Sequence, residues 1–218
     1  MTAHTIPPSS TSSSPSDREA AARERILTAA LQEFAEHGWG GARVDRIAER
    51  ADINKRMLYA YVGNKQALWV AVLERVYERM RQGEHLLHLE AASPVDGMRM
   101  LIRFNFRFHQ DHPEFLSMLN EENRQKAENL KNSRNVTEIY NPLIVAIKDL
   151  LDRGRQCGDF RGNVSPIQLY ISIASLSYFY FSNRHTLSTI FNTDLGSVMA
   201  TIEREDHVVE VVMGYLRP

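Results

Sequence analysis

Between residues 38 and 64 the chain is interrupted three times, by Gly-Trp-Gly-Gly at 38–41, Ala-Asp-Ile-Asn at 51–54 and Gly-Asn at 63–64. The pieces that these breaks leave, 42–50 and 55–62, have nine and eight residues. Helices that short do not persist in water by themselves, because nucleation costs more than two turns return. They form only if longer neighbours lock them, and this constrains the fold more than any other feature of the chain.

Such neighbours are present. Ile26, Leu27, Ala30, Leu31, Phe34 and Ala35 recur at helical spacing and predict a helix over 17–37, opened by a capping box at Ser16 to Glu19 and closed by Gly38. Asn64 caps a fourth helix with Leu68, Ala71, Val72, Val76 and Met80 on one side, running to about residue 90. In the short pieces, Val44, Ile47, Ala48 and Ala51 face inward, as does Leu58 with either Met57 or Tyr61. Asp52 supplies a turn and Asn54 a cap. Residues 1–15 are mostly Ser, Thr and Pro and are expected to form a disordered tail.

Beyond residue 90 the pattern stays helical. Ser93-Pro94 and Ser165-Pro166 are cap and first-turn pairs, and the spacing predicts helices from 94 to about 110, 114–132, 136–156 with Pro142 as a kink or fresh start, 166–183, and a last one through Val208 to Leu216. No alternating strand pattern appears. The chain therefore reads as all-α with nine or ten helices, in two parts that meet inside the fourth: a helix-turn-helix domain at 16–63, and a larger helical domain at 64–218.

A short amphipathic helix whose inner face is fixed by two neighbours can present its outer face to the major groove of DNA. Between residues 43 and 65 six basic residues (Arg43, Arg46, Arg50, Lys55, Arg56, Lys65) stand against Asp45, Glu49 and Asp52, inside a chain of net charge −1. Phosphates are tolerated there. Lys65, in the first turn of helix four, is placed to combine with outward backbone amides on a phosphate.

No HExxH, no Gly-rich phosphate loop with a following Lys and no paired-carboxylate motif occurs, so an enzyme is not expected, nor a cofactor or metal. His109 and His112, with Asp111 and Glu114, do not complete a zinc site. Cys157 is the only cysteine, which excludes an intramolecular disulfide. With no signal-like segment and no apolar run of bilayer length, a cytoplasmic protein without membrane contact is expected.

The stretch from Ile26 to Leu73 resembles the amino-terminal domain of the Tet repressor family of bacterial transcription regulators. The resemblance is carried by the Phe34, Gly38 and Trp39 exit, Val44, Ile47, Ala48 and Ala51, Leu58, Tyr59 and Tyr61, and Lys65 with Leu68. It implies that helix three is the recognition helix, with Lys55, Arg56 and Tyr59 facing double-stranded operator DNA, Tyr61 near the backbone, and Lys65, Arg43, Arg46 and Asn54 contributing to the interface. It further implies that residues 64–218 are the effector-binding and dimerisation domain of a homodimer on a palindromic operator, released by a small-molecule effector. Ala42 stands where a Thr commonly caps helix two, Asp52 where a turn Gly is customary, Asn54 where Ser or Thr caps, and Val62 where Phe is usual.

In the larger part, Ile171, Ala174, Ser175 and Tyr178 of the penultimate helix, with Val208, Val211, Val212 and Tyr215 of the last, are the candidate dimer surface. Phe104, Phe108, Tyr140, Tyr178 and Phe181, with Arg103 and Asn120 as polar groups, are the candidate effector pocket. The region around Asp-His-Pro-Glu-Phe is weakly similar to the pyrimidine-utilisation regulators of the same family. The alternatives are an activator of that family, or a helical partner-binding module without sequence-specific DNA binding.

Overall fold

The computed structural model describes residues 15–133 and 136–218; residues 1–14 of the expected tail lie outside them. Nine α-helices are described: α1 Pro15–Gly41, α2 Val44–Arg50, α3 Lys55–Val62, α4 Lys65–His85, α5 Pro94–Asp111, α6 Pro113–Arg124, α7 Val136–Cys157, α8 Pro166–Phe191 and α9 Val198–Leu216. No strand occurs among the described residues. The protein is all-α, with an amino-terminal helical bundle joined through α4 to a larger carboxy-terminal helical part.

The helix boundaries follow from short polar side chains that take otherwise orphaned amides. Asn54 accepts from the Met57 N–H, Asn64 from the Ala67 N–H, Ser93 from the Asp96 N–H and Ser165 from the Gln168 N–H. Asp52 sits at φ 53°, the left-handed conformation a turn residue of its type tolerates. Gly38 has φ 63° and ψ 179° and bends the end of α1 back over the bundle. α1 starts one residue before the expected cap, at Pro15, so Ser16 lies within its first turn.

Two apolar cores divide the molecule. The first gathers Ile26, Ala30 and Phe34 of α1, Ile47 and Ala48 of α2, Leu58 of α3 and Leu68, Trp69, Val72, Val76 and Met80 of α4, and also takes Phe108, Phe115 and Met118 from α5 and α6. The second joins Leu101, Ile102 and Phe106 of α5 with α7, α8 and α9. Burying side chains of this size stabilises by about 1.5–3 kcal/mol each, which is what holds the two short helices in place. Gly83 lets α4 close on α5: a Cβ there would come within 2.5 Å of the Phe104 ring.

Three expected boundaries differ. α4 ends at His85 rather than near residue 90. α6 ends at Arg124 rather than 132, because the buried Glu122 carboxylate collects the Asn129 and Leu130 N–H groups and pulls the following chain into a turn with Lys126 and Ala127 at positive φ. α8 continues to Phe191, where Asn192 closes it at φ 49°.

Candidate nucleic-acid interface

α2 and α3 are separated by the four residues Ala51–Asn54, and Ile53 returns its N–H to the Ala48 carbonyl at 3.1 Å, which fixes the turn. Leu58 is fully buried, so the opposite side of α3 faces outward. Lys55, Arg56 and Tyr59 are exposed, Tyr59 by 42%. Met57 is exposed as well, whereas Tyr61 packs against the first core, which settles which of the two accompanies Leu58 inward. Asn54 is committed through Oδ1 to its cap. Lys55 reaches Asp45 of α2 at 2.7 Å, an exposed pair that raises its pKa and can exchange for a phosphate at little cost.

The remaining cations are held differently from the sequence expectation. Glu33 of α1, fully buried, accepts from the Arg43 N–H at 3.0 Å and from Arg46 Nε at 2.7 Å. Burial alone would raise this carboxyl, but the Arg46 and Arg43 hydrogen bonds and the nearby charges bring it below its ordinary value. The Glu33 carboxylate thereby serves the start of α2, where Arg43 is the cap position and offers no side-chain bond of its own. Arg46 also donates to the Gly41 carbonyl at 3.0 Å, and Arg50 pairs with Glu36 at 2.6 Å.

Lys65 is not the outward phosphate clamp expected either. Its Nζ donates to the Trp39 carbonyl at 2.5 Å and the Ala42 carbonyl at 2.7 Å, and lies 4.9 Å from the centroid of the Trp39 ring. Burial lowers its pKa. Arg46 and Lys65 therefore fasten the end of α1 to α2 and α4, and one Lys65 proton remains for any further acceptor. Arg43, exposed beside them, keeps its guanidinium outward of the Glu33 contact made by its backbone.

Trp69 of α4 is the joint between the two parts. Its indole Nε1 donates to Glu122 of α6 at 2.8 Å, and it packs edge-on against Phe34 and Trp39. Neither Glu33 nor Glu122 was expected from the sequence.

The residues expected to line one effector pocket are split. Arg103, Phe104 and Phe108 border a cavity of about 360 Å³ beside Leu87 and His112, while Asn120 and Phe181 border another of about 210 Å³. Arg103 does not point at a ligand space alone: it binds Glu205 at 3.1 Å and Asp206 at 2.7 Å on α9. Tyr178 donates to Asn120, and the Tyr140 side chain lies outside what is described. A larger cavity, about 490 Å³ between the end of α4 and α7, was not anticipated.

Of the candidate dimer surface, Val208 and Val212 are corrected: they are 0% and 2% exposed and belong to the chain's own second core. Ile171, Ser175, Val211 and Tyr215 remain exposed, with Ala174 and Tyr178 half-buried. Ile171, Ser175, Val211 and Tyr215 border a groove of about 440 Å³ between α8 and α9. Among the described residues no helix is long and apolar enough to cross a membrane.

Comparison with known proteins agrees with this anatomy. The chain is 33% identical over 195 residues to the HTH-type transcriptional repressor NicS of Pseudomonas putida, covering 89% of this chain and 92% of that one. It is 31% identical to the HTH-type transcriptional regulator RutR of Escherichia coli K12, but over 94 residues, 43% of this chain and 44% of that one. The fatty acid degradation regulator FadR of Bacillus halodurans shares the fold at 18% identity, with a TM-score of 0.66 over 89% of this chain and 99% of that one. Residues 26–72 match the model of bacterial regulatory proteins of the tetR family, and residues 94–212 match the Tetracyclin repressor-like carboxy-terminal domain. With both halves matched, the chain belongs to the Tet repressor family of bacterial transcription regulators.

Proposed function

We propose that this family member is a ligand-responsive transcriptional repressor: a homodimer that binds a palindromic operator through α3 and leaves it when a small molecule occupies the carboxy-terminal part. The observation that carries the reading is the posture of α3, with Leu58 buried and Lys55, Arg56 and Tyr59 exposed on a frame held by Glu33, Arg46 and Lys65. Arg56 and Tyr59 reach base edges and adjacent phosphates. Lys55 and Arg43 meet phosphates, and the remaining Lys65 proton and the Tyr61 edge sit next to the backbone. Asn54 and Arg46 act by holding this surface.

Two recognition helices must stand about 34 Å apart, one turn of DNA, or a multiple of that. The exposed α8–α9 face at Ile171, Ala174, Ser175, Val211 and Tyr215 supplies the second subunit by completing a four-helix bundle. Effector binding favours a spacing of the two α3 helices that no longer fits adjacent major grooves. Repression rather than activation is taken from steric exclusion at an overlapping promoter and from the repressor NicS. A pyrimidine effector is not adopted, since the likeness to RutR covers under half of the chain. The reading assigns the chain no catalytic step.

The test is affinity for the chain's own upstream intergenic DNA against shuffled DNA at several salt concentrations. A specific site should bind at least about a thousandfold more tightly than the shuffled duplex. Equal affinity at every salt concentration refutes the proposal and favours a partner-binding module, and a footprint upstream of the polymerase site points to an activator.

A further inference from the structure

The end of α4 carries an acid where an apolar residue would be expected. Glu84 follows Val72, Val76 and Met80 at four-residue spacing, on the buried side of the helix, and is itself 6% exposed. Its Oε2 forms an ion pair with Arg81 Nη1 at 2.6 Å, but among the described residues no donor meets either carboxyl oxygen in hydrogen-bonding geometry. A buried acceptor without a donor costs about 1–3 kcal/mol, more when charged. Burial pushes this carboxyl up to about 8 against the opposing effect of Arg81.

Glu84 opens onto the cavity of about 490 Å³, a volume suited to a small organic molecule. Arg81, Glu84 and His85 form its polar end, and Leu89, Pro142 and Leu143 are among its apolar walls. We infer that this cavity is the effector site, and that it takes a small uncharged molecule with an apolar body and an amide-type N–H that donates to Glu84. This rests on the effector-responsive reading above. It moves the site away from Arg103, Phe104 and Asn120.

Charge selects the ligand class. A cationic ligand placed on Glu84 meets the Arg81 guanidinium already 2.6 Å from the same carboxyl. An anion has to pass Glu90, which lines the same cavity and whose carboxyl is held below its ordinary value by a backbone hydrogen bond and by His88. An uncharged amide serves a protonated carboxyl on both sides, its N–H donating to one Glu84 oxygen and its carbonyl accepting the carboxyl O–H, and adds no charge beside Arg81. The position also suits control, because the helix that carries Glu84 begins at Lys65, beside α3.

Three probes of one size separate the classes: benzamide, benzoate and benzylamine, titrated at millimolar concentration into the full chain and followed by ligand-observed NMR. Benzamide should bind about tenfold more tightly than either charged probe, the share of one well-made hydrogen bond to the buried carboxyl group. Glu84→Met should weaken it about tenfold, and Ala146→Phe, which fills the cavity from α7 and leaves Glu84 intact, should do the same. Preference for benzoate or benzylamine overturns the ligand class. Benzamide binding unchanged in both variants, or no binding by any probe, overturns the site. Because these titrations contain no DNA, their failure is separate from that of operator binding; benzamide binding that leaves operator affinity unchanged keeps the site and removes its regulatory role.

Discussion

Replacing Glu122 by Gln perturbs the joint between the two parts by a single atom. Glu122 is 1% exposed and accepts four hydrogen bonds: Oε2 from Trp69 Nε1 at 2.8 Å and Asn129 Nδ2 at 3.0 Å, and Oε1 from the Asn129 and Leu130 N–H groups at 2.9 Å each. A Gln keeps one oxygen for the two backbone amides and turns an NH2 toward two donors. Asn129 Nδ2 has a second acceptor in Gln125 Oε1 at 3.1 Å, so the stranded group is the Trp69 indole. One buried unsatisfied donor, one donor–donor contact and the loss of a charged acceptor together cost about 3 kcal/mol. For a chain of this length that is roughly 6–12 °C in Tm. Urea denaturation followed by circular dichroism at fixed protein concentration measures it, and Trp69→Phe completes a double-mutant cycle. With Trp69→Phe already in place, Glu122→Gln should cost at least about 1 kcal/mol less, because no indole is left to strand. A penalty for Glu122→Gln alone below about 1 kcal/mol, or additivity within about 0.5 kcal/mol, refutes the account of this joint.

Tyr59→Ala should weaken operator binding by roughly tenfold and change stability by less than about 0.5 kcal/mol, since the ring is 42% exposed; equal affinity in a gel-shift titration removes Tyr59 from the interface. Ile171→Glu combined with Val211→Glu should give monomers in sedimentation velocity, because both side chains stand on the exposed α8–α9 face, and an unchanged dimer places the subunit contact elsewhere. The Glu84 carboxyl is raised to about 8 from 4.5, so the folded state holds a proton that the unfolded chain has released. Its contribution is present in full below pH 4.5 and is lost as pH rises toward 8, at up to about 1.4 kcal/mol per pH unit. Glu84→Gln should therefore gain on the native chain between pH 5 and 8 in paired urea titrations; a constant difference contradicts a protonated Glu84.

The short helices and their limits were legible because local chemistry decides them. Asn54, Asn64, Ser93 and Ser165 each cap the helix that they precede, and Asp52 takes the left-handed turn that its side chain permits. What was not legible depends on partners distant in sequence. The polar run after Arg124 keeps a helical pattern, and only the Glu122 carboxylate, reaching seven and eight residues ahead, ends the helix there. Arg46 and Lys65 read as surface cations because the Glu33 carboxylate that holds the first, and the Trp39 and Ala42 carbonyls that hold the second, lie 13 to 26 residues upstream. A usable signal did exist: Glu33, Glu84 and Glu122 each occupy a position in register with apolar neighbours, where a charge is retained only with an internal partner or a purpose. Val208 and Val212 share the heptad-like spacing of Val211 and Tyr215, and spacing alone does not tell an inner stripe from an outer one.

α4 has 21 residues and no proline, which makes it a stiff arm about 31 Å long. A tilt of ten degrees about one end sweeps the other through roughly 5 Å, and in the proposed dimer opposite sweeps would add to about 10 Å, near a third of a DNA turn. On the proposed function, a ten-degree tilt that pivots at the Glu84 end is thus enough to throw both readers out of phase with the duplex.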